Sequence, residues 1–455
     1  MMTERTDNQE LLRDGVWRLL LRYSLPSVAS MVGISLYILA DTYFIANGIG
    51  ETALAALNIA LPCYSFIGCI GNMIGIGGAT TFAIARENGD GRTRRGVFTL
   101  CIAFVLLCGI AFFLCGLFAA RRISLLLGAS SDTLPYAEVY IRVLLLFAPF
   151  FLVNNVITAF VRNDRGPNLA MVSMLSGVLF NIVFDYVFIY ITGWGMFGAI
   201  LATCLAPIVG LGVLSAHFLR RRNTFALVRA KPVPGGFHKI LHGGSATFIT
   251  EIAAGLVILA FNFKLLSLLG DVGVAAYGVI SNTAYVMLSI FNGLGQGVQP
   301  LVSSNYGAGL GGRCREILGK GVLASFVISA LLVTTVLVFN KPVVALFNRD
   351  ANAMLAAIAE RGIVIYFTSF LFCGVNIMAI AYYQAMLRSG VAVGISLSRG
   401  IIGVAAGLAI LPGIFGADGV WLTAPFAEIL ASVLVLMLLM REKRIGTVHR
   451  SQESP

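Results

Sequence analysis

The sequence predicts an all-α polytopic membrane protein with about 12 transmembrane helices, arranged as two six-helix lobes related by a pseudo-two-fold axis along the membrane normal. Three observations predict it. The composition is 58% hydrophobic and only 12% charged, the apolar residues form about a dozen long segments, and part of the first half recurs in the second. A hydrocarbon core about 30 Å thick needs about 20 apolar helical residues to cross it, and helices satisfy their own backbone polar groups there.

The apolar segments give the predicted spans in order. They are residues 23–46, 53–84, 96–119, 136–161, 167–190, 194–220, 240–267, 274–305, 319–340, 353–387, 391–412 and 416–440. The start of the chain is not typical of a cleavable signal peptide, because about ten polar residues precede a first span that is too long for an h-region.

Basic residues are concentrated in alternate loops, which predicts the orientation. They precede the first span, follow spans two, four, eight and ten, fill the central loop and recur in the tail, whereas the opposite loops hold few. By the positive-inside rule both termini are cytoplasmic, which fits an even number of spans. The net charge of +11 therefore reflects orientation and contact with anionic membrane lipids, and no nucleic-acid partner is expected. We expect a multi-pass protein of a cell inner membrane.

Cysteine and histidine give no sign of a metal centre. Seven of the eight cysteines lie inside apolar spans, and the four histidines are peripheral without ligand spacing. We therefore expect no cofactor and no bound metal beyond a possible Na⁺. The spans also lack HExxH, GxSxG, paired metal-binding acids and Cys/His dyads, so an enzyme is not expected.

An internal repeat appears when the chain is shifted by 220 residues. Residues 50–95 then align with 270–315 without a gap, and the identical pairs include Gly75 with Gly295 and Gly77 with Gly297. The repeat predicts an N-lobe over 1–222, a cytoplasmic linker over 223–237, a C-lobe over 238–440 and a tail over 441–455. In secondary transporters, such halves flank a substrate cavity and rock against each other.

Several motifs resemble those of one transporter family. They are Leu25-Pro26-Ser27 and Ala40-Asp41-Thr42-Tyr43-Phe44-Ile45 in span one, Gly75-Ile76-Gly77-Gly78-Ala79 in span two, Asn181-Ile182-Val183-Phe184-Asp185-Tyr186 in span five, and Gly195-Met196-Phe197-Gly198-Ala199 entering span six. The chain resembles MATE (multidrug and toxic compound extrusion) transporters from about residue 15 to 440. An acid on span five, with none inside span ten, resembles the branch of DNA-damage-inducible protein F. The resemblance implies a two-lobed antiporter that exports drugs against an inward H⁺ or Na⁺ gradient.

Two acids, an amide and a hydroxyl are predicted to lie at one depth in the first lobe. Asp41 and Asp185 each lie about five residues from the outer end of their spans, and Thr203 about nine residues into span six, so their depths differ by only about 6 Å. Asn181 is one turn from Asp185 on the same helix face. Such oxygens suit Na⁺, and the same group can instead take a proton. The resemblance implies that these four form the family's cation site, whereas a local capping role is the alternative.

The second lobe carries a separate pair of intramembrane charges, Glu251 and Arg399. Glu251 either binds a cationic substrate or a second proton, or forms a structural pair with Arg399. Tyr37 and Tyr277 are candidates for cation–π contact with a flat cationic substrate, and the alternative for each is a lipid-facing position. The resemblance also implies that Pro26 is a hinge in span one.

The predicted function is a monomeric secondary active antiporter that exports hydrophobic, cationic or amphipathic compounds in exchange for H⁺ or Na⁺ by alternating access. The alternatives are a flippase for a lipid-linked saccharide, or a specialised metabolite exporter, of the same superfamily. Twelve spans and an acidic N-lobe disfavour a flippase, while Arg399 favours it.

Overall fold

The computed structural model describes residues 10–228, 233, 235–348 and 352–452, and within these residues the regular structure is helical, without strands. The main helices are α1 (Val16–Gly48), α2 (Glu51–Glu87), α3 (Gly91–Phe118), α4 (Ala120–Leu126), α5 (Leu134–Asn163), α6 (Pro167–Tyr186), α7 (Gly195–Leu219), α8 (Gly236–Gly307), α9 (Gly311–Val338), α10 (Asn340–Phe347), α11 (Ala353–Tyr366), α12 (Phe370–Ala385), α13 (Ser389–Leu397), α14 (Gly403–Phe415) and α15 (Ala417–Gln452). Residues 1–9, 229–232, 234, 349–351 and 453–455 lie outside the described residues, and five of them belong to the predicted linker.

The described residues contain 11 helical segments long and apolar enough to cross a membrane. One of them, α8, has 72 residues and would be about 108 Å long as one straight helix, far more than a bilayer needs. It is broken at Gly270, whose φ of 65° and ψ of −159° are not helical. Since a residue with a side chain rarely adopts this conformation, the glycine divides α8 into two crossings. The predicted count of about 12 spans is confirmed.

Three spans contain a turn that is not α-helical. A π turn, Val187–Ile191, follows α6, and a second, Ser398–Ile402, joins α13 to α14. A 3₁₀ turn, Phe367–Ser369, joins α11 to α12. Each of these spans still matches a single predicted one, because the chain continues in the same helical segment. Single π turns within α-helices are frequent at functional sites.

The chain forms two compact units. The first contains residues 1–248, 292–317 and 384–389, and the second contains residues 249–291, 318–383 and 390–455. The first unit thus includes the end of α8 together with the first half of the chain, and the predicted lobe bounds stay a prediction. The last helix also runs past the predicted end at residue 440.

Two close helix crossings in the first unit explain why one glycine pair of the repeat, Gly77 with Gly297, recurs. A Cβ atom on Gly77 would lie 2.0 Å from the carbonyl oxygen of Ile240, and one on Gly244 would lie 1.9 Å from that of Met73. At the other crossing, a Cβ on Gly297 would lie 2.5 Å from the Cα of Ser24. The shift of 220 residues aligns Ser24 with Gly244 and Gly77 with Gly297. The two crossings are therefore made by corresponding positions of the repeat. Backbones approach this closely only where side chains are absent.

A buried polar network lies at the predicted cytoplasmic end of the first unit. Arg86 donates to Glu87 at 2.8 Å, to the carboxylate of Asp164 at 3.4 Å and to the hydroxyl of Ser304 at 3.2 Å. Asp164 also lies 3.0 Å from His217 Nε2 and accepts from the backbone N–H of Thr224 at 2.7 Å. The network therefore joins the ends of α2, α5, α7 and α8, and each of its charges is paired.

Candidate functional site: a buried acid pair in the first unit

Three helices of the first unit bring the predicted cation-site residues together. Asp41 comes from α1, Asn181 and Asp185 come from α6, and Thr203 comes from α7. α6 packs against both of the other helices, so its inward face places its polar side chains between them. All four residues are buried.

Asn181 connects the acid to the hydroxyl. In the orientation that satisfies both ends of its amide, the nitrogen donates to Asp185 Oδ2 at 3.2 Å, and the oxygen accepts from the Thr203 hydroxyl at 3.2 Å. Asp185 lies one turn after Asn181, so the helix itself sets their spacing. The amide therefore holds the side chains of α6 and α7 in one polar cluster.

The carboxyl groups of Asp41 and Asp185 lie within hydrogen-bonding reach of each other. The Oδ1 atom of each residue is buried and, within the described part of the chain, accepts no hydrogen bond. Two ionised carboxylates at this separation repel each other, and buried polar atoms are normally satisfied. The cluster therefore needs a positive charge from outside the protein, either a proton shared between the acids or a small cation.

A cavity of about 120 Å³ opens beside this cluster. Asn181 and Thr203 are among its lining residues, together with Tyr37, Tyr64 and Phe151. The hydroxyl groups of Tyr37 and Tyr64 are 2.6 Å apart, and the ring of Phe151 meets that of Tyr64 edge to face at 5.7 Å. The wall thus combines three aromatic rings and several aliphatic side chains with polar groups, which include the amides of Asn154 and Asn155. Such a wall suits an apolar or cationic guest.

The acid pair lies next to the irregular part of its helix. Asp185 is the residue before Tyr186, where α6 ends and the π turn begins. In a π turn each N–H reaches back one residue further than in an α-helix, so the helix locally widens. The π turn therefore begins within two residues of Asp185, at the end of the span.

The second unit holds a different polar cluster, in which Arg399 pairs with Glu428. The Nε of Arg399 donates to Glu428 Oε1 at 3.1 Å, and its Nη2 donates to the same carboxylate. Glu428 Oε2 also accepts from the amide of Asn376 at 2.7 Å. The sequence analysis missed Glu428 and Asn376. An acid in the middle of the last apolar span was the signal that could have identified the partner of Arg399.

The other predicted residues lie apart from the acid pair. Glu251 lies on α8 in the second unit and is exposed, and the neighbouring hydroxyl of Thr250 is 2.9 Å from that of Ser396. Tyr277 is buried in the second unit, where its ring stacks on that of Phe261 with centroids 5.0 Å apart. Pro26 is buried within α1, which is a continuous helix.

Comparisons with known proteins agree with this architecture. The MatE family model matches residues 26–187 and 246–408. The chain is 26% identical to the multidrug export protein MepA of Staphylococcus saprophyticus, over 97% of each chain, and 25% identical to MepA of Staphylococcus haemolyticus, over 96% of each.

A solved structure has the same fold. The structure of a multidrug resistance MATE family transporter of the MOP superfamily, in an outward-facing conformation, superposes with a TM-score of 0.90. The two chains are 22% identical, over 97% of this chain and 98% of the other. A family model that matches both halves of the chain, on a fold that agrees over nearly its whole length, shows that this multi-pass membrane protein belongs to the MatE family.

Proposed function

We propose that the protein is a secondary active antiporter that exports hydrophobic, cationic compounds in exchange for H⁺ or Na⁺ by alternating access. The observation that carries the proposal is the buried pair of Asp41 and Asp185, whose Oδ1 atoms accept no hydrogen bond from the described residues. A site that requires an external positive charge, beside a cavity, is what a cation-coupled transporter needs. Family membership and the names of the MepA relatives support export of drug-like compounds.

The coupling cation binds where the acids meet. A proton would be shared by the carboxyl groups of Asp41 and Asp185. Sodium would instead contact the carboxylate oxygens, the Asn181 carbonyl and the Thr203 hydroxyl, all of which are hard oxygen ligands. In both cases the loaded site carries less negative charge than the empty one. A cationic substrate in the neighbouring cavity is therefore attracted more strongly to the empty site than to the loaded one, which couples the two fluxes.

Pro26 gives α1 a point at which it can bend. A proline inside a helix cannot donate the hydrogen bond that an N–H there would make to the preceding turn. Residues on both sides of Pro26 touch the backbone of α8, since Cβ atoms on Gly297 and Gly293 would lie 2.5 Å from the Cα atoms of Ser24 and Val28. We therefore propose that loading of Asp41 is transmitted along α1 to this crossing. Undiminished transport by Pro26→Ala would contradict the hinge.

The proposed membrane is a cell inner membrane, with both termini in the cytoplasm and one chain as the working unit. The alternation of basic loops supports the orientation. Single added cysteines at Arg122 and Arg315, on predicted opposite sides, provide the test. An impermeant thiol reagent added to intact cells should label the first position and leave the second unlabelled.

The function is tested by dye efflux from proteoliposomes, with a pH gradient and a Na⁺ gradient imposed separately. Gradient-driven efflux by the wild type, lost in Asp41→Asn, is expected, and the active gradient names the coupling ion. Asp132→Asn is the matched control, because it makes the same chemical change at an exposed acid. Full transport by folded Asp41→Asn would contradict the site. Wild-type protein that moves no dye but restores cell-wall synthesis would favour the flippase.

A further inference from the structure

The polar cluster of the second unit lies deep within its spans. Arg399 is ten residues after the start of α13, and Glu428 is eleven residues after the start of α15. Each residue therefore lies about 15 Å along the helix from the start of its span, close to the middle of a bilayer. The side chains of Arg399 and Glu428 are only 12% and 11% exposed. Both charges therefore lie where neither is stable without a partner.

Every carboxylate oxygen of this cluster is satisfied. Glu428 Oε1 accepts from Nε and Nη2 of Arg399, and Oε2 accepts from Asn376 Nδ2 at 2.7 Å and from Arg399 Nε at 3.3 Å. The oxygen of the Asn376 amide accepts from the Ser432 hydroxyl at 3.0 Å. Arg399 Nη2 also lies 3.1 Å from the sulfur of Cys373. Tyr366 is a further titratable side chain near the pair.

The two clusters are similar in composition and differ in one member. Each contains a buried carboxylate held by an asparagine amide and a nearby hydroxyl: Asp185 with Asn181 and Thr203 in the first unit, and Glu428 with Asn376 and Ser432 in the second. Where the first cluster has a second acid, Asp41, the second has a base, Arg399. Guanidinium remains charged at every physiological pH and fits a carboxylate with two parallel donors.

We propose that Arg399 is a tethered cation that fills a second cation site from within, so that the Glu428 cluster takes up no coupling ion. The guanidinium occupies the position in which a proton or Na⁺ would otherwise neutralise Glu428, and it repels any further cation. Arg399 thereby determines how many cations are exchanged for each substrate. The link to coupling rests on the proposed antiport, whereas the occupation of the site by Arg399 does not.

The decisive variant is Arg399→Gln, which removes the tethered charge and leaves Glu428 to recruit a cation from solution. The measurement uses proteoliposomes at a clamped membrane potential, with a series of imposed gradients of the coupling ion. For each gradient, we determine the ratio of inside to outside dye concentration at which net dye flux is zero. The slope of the logarithm of the dye ratio against that of the ion ratio gives the ions exchanged per dye. We expect it to rise by one unit in Arg399→Gln. Arg399→Lys, which keeps a charge there, should match the wild type.

A variant with no buried charge protects the test against misfolding. Arg399→Met combined with Glu428→Met removes both charges together, and an apolar replacement of a whole buried pair is usually tolerated. We expect this variant to keep the wild-type slope. A lower slope would overturn the proposal, because the pair would then itself carry a coupling ion. An unchanged slope in folded Arg399→Gln would also overturn it.

A second measurement decides the proposal even if the protein moves no dye. Infrared difference spectra in sodium-free buffer report the C=O stretch of a protonated carboxylic acid. Arg399→Gln should gain such a band, and adding Glu428→Gln should remove it, while the wild type should show no band sensitive to Glu428→Gln. A wild-type band that Glu428→Gln removes would overturn the proposal, because Glu428 would already be protonated beside Arg399.

Discussion

The two units bury polar clusters of similar composition that differ in how their charge is balanced. In the first, Asp41 and Asp185 face each other with an unbonded oxygen apiece. In the second, Glu428 faces Arg399, and all of its oxygens accept hydrogen bonds. A cluster that balances its own charge can hold helices together in any state of the protein. A cluster that does not is stable only when it takes a cation from outside, which makes it responsive to the ion gradient.

The largest expected effect comes from giving the first cluster its own cation. Asn181→Lys places an ammonium group beside Asp185, and the cavity lined by Asn181 provides room for the longer side chain. We expect gradient-driven dye efflux to fall to the rate of empty liposomes, because the site can no longer exchange its positive charge. Asn181→Met, of similar length without charge, is the control and should lose less. Equal efflux by Asn181→Lys and the wild type would show that the first cluster does not depend on a cation from outside, and so does not differ from the second in this respect.

The second-largest expected effect is a loss of protein stability when the ion pair of the second cluster is broken. Arg399→Gln leaves the carboxylate of Glu428 without its main donor, and breaking a buried ion pair costs about 3 kcal/mol. We expect a clear drop in the melting temperature of the purified protein, measured by intrinsic fluorescence in detergent. A variant that melts with the wild type would show that Glu428 does not depend on Arg399.

The first cluster should respond in the opposite direction when an acid is neutralised. Asp185→Asn removes one of two repelling carboxylates and adds an amide that can donate to Asp41. Relief of an unsatisfied buried oxygen contributes about 1 kcal/mol, so we expect a higher melting temperature in cation-poor buffer together with lost coupling. A lower melting temperature there would indicate that Asp185 is a structural residue, like Glu428.

The smallest effect tests whether burial, rather than residue type, distinguishes the second cluster. Arg142 and Glu138 form the same kind of ion pair at 2.5 Å, but Arg142 is 50% exposed. Because solvent screens this pair, Arg142→Gln should change the free energy of unfolding by about 0.5 kcal/mol or less. If Arg142→Gln lowered the melting temperature as far as Arg399→Gln does, burial would not be the reason why the protein depends on the Arg399–Glu428 pair.

Much of the first cluster could be predicted from the sequence. An acid inside an apolar span stands out, helix geometry places Asn181 and Asp185 on one face, and the motif of span one identifies Asp41. Counting residues from the ends of the spans was enough to bring Thr203 to the same depth. What the count could not provide is the contact between the two carboxyl groups, which depends on how α1 packs against α6.

The second cluster could be predicted only in part, because the partners of Arg399 lie on other spans and no sequence motif links them. Arg399 was recognised as an intramembrane charge, but its bond to Glu428 spans 29 residues and depends on the packing of the last two spans. Tyr277 shows the same limit, since an aromatic residue in an apolar span can face a cavity, lipid or the core. Local periodicity does not separate these environments, whereas the internal repeat did identify the glycines at the helix crossings.

Those crossings also constrain how the protein is made. The backbone of α1 at Ser24 rests on Gly297 near the end of α8, so this crossing cannot form until more than half of the chain has been synthesised. The backbone of α2 at Gly77 waits for residues 240–244, at the start of α8. A chain that stops before the eighth span can therefore complete the crossing at Gly77 but not the crossing at Ser24.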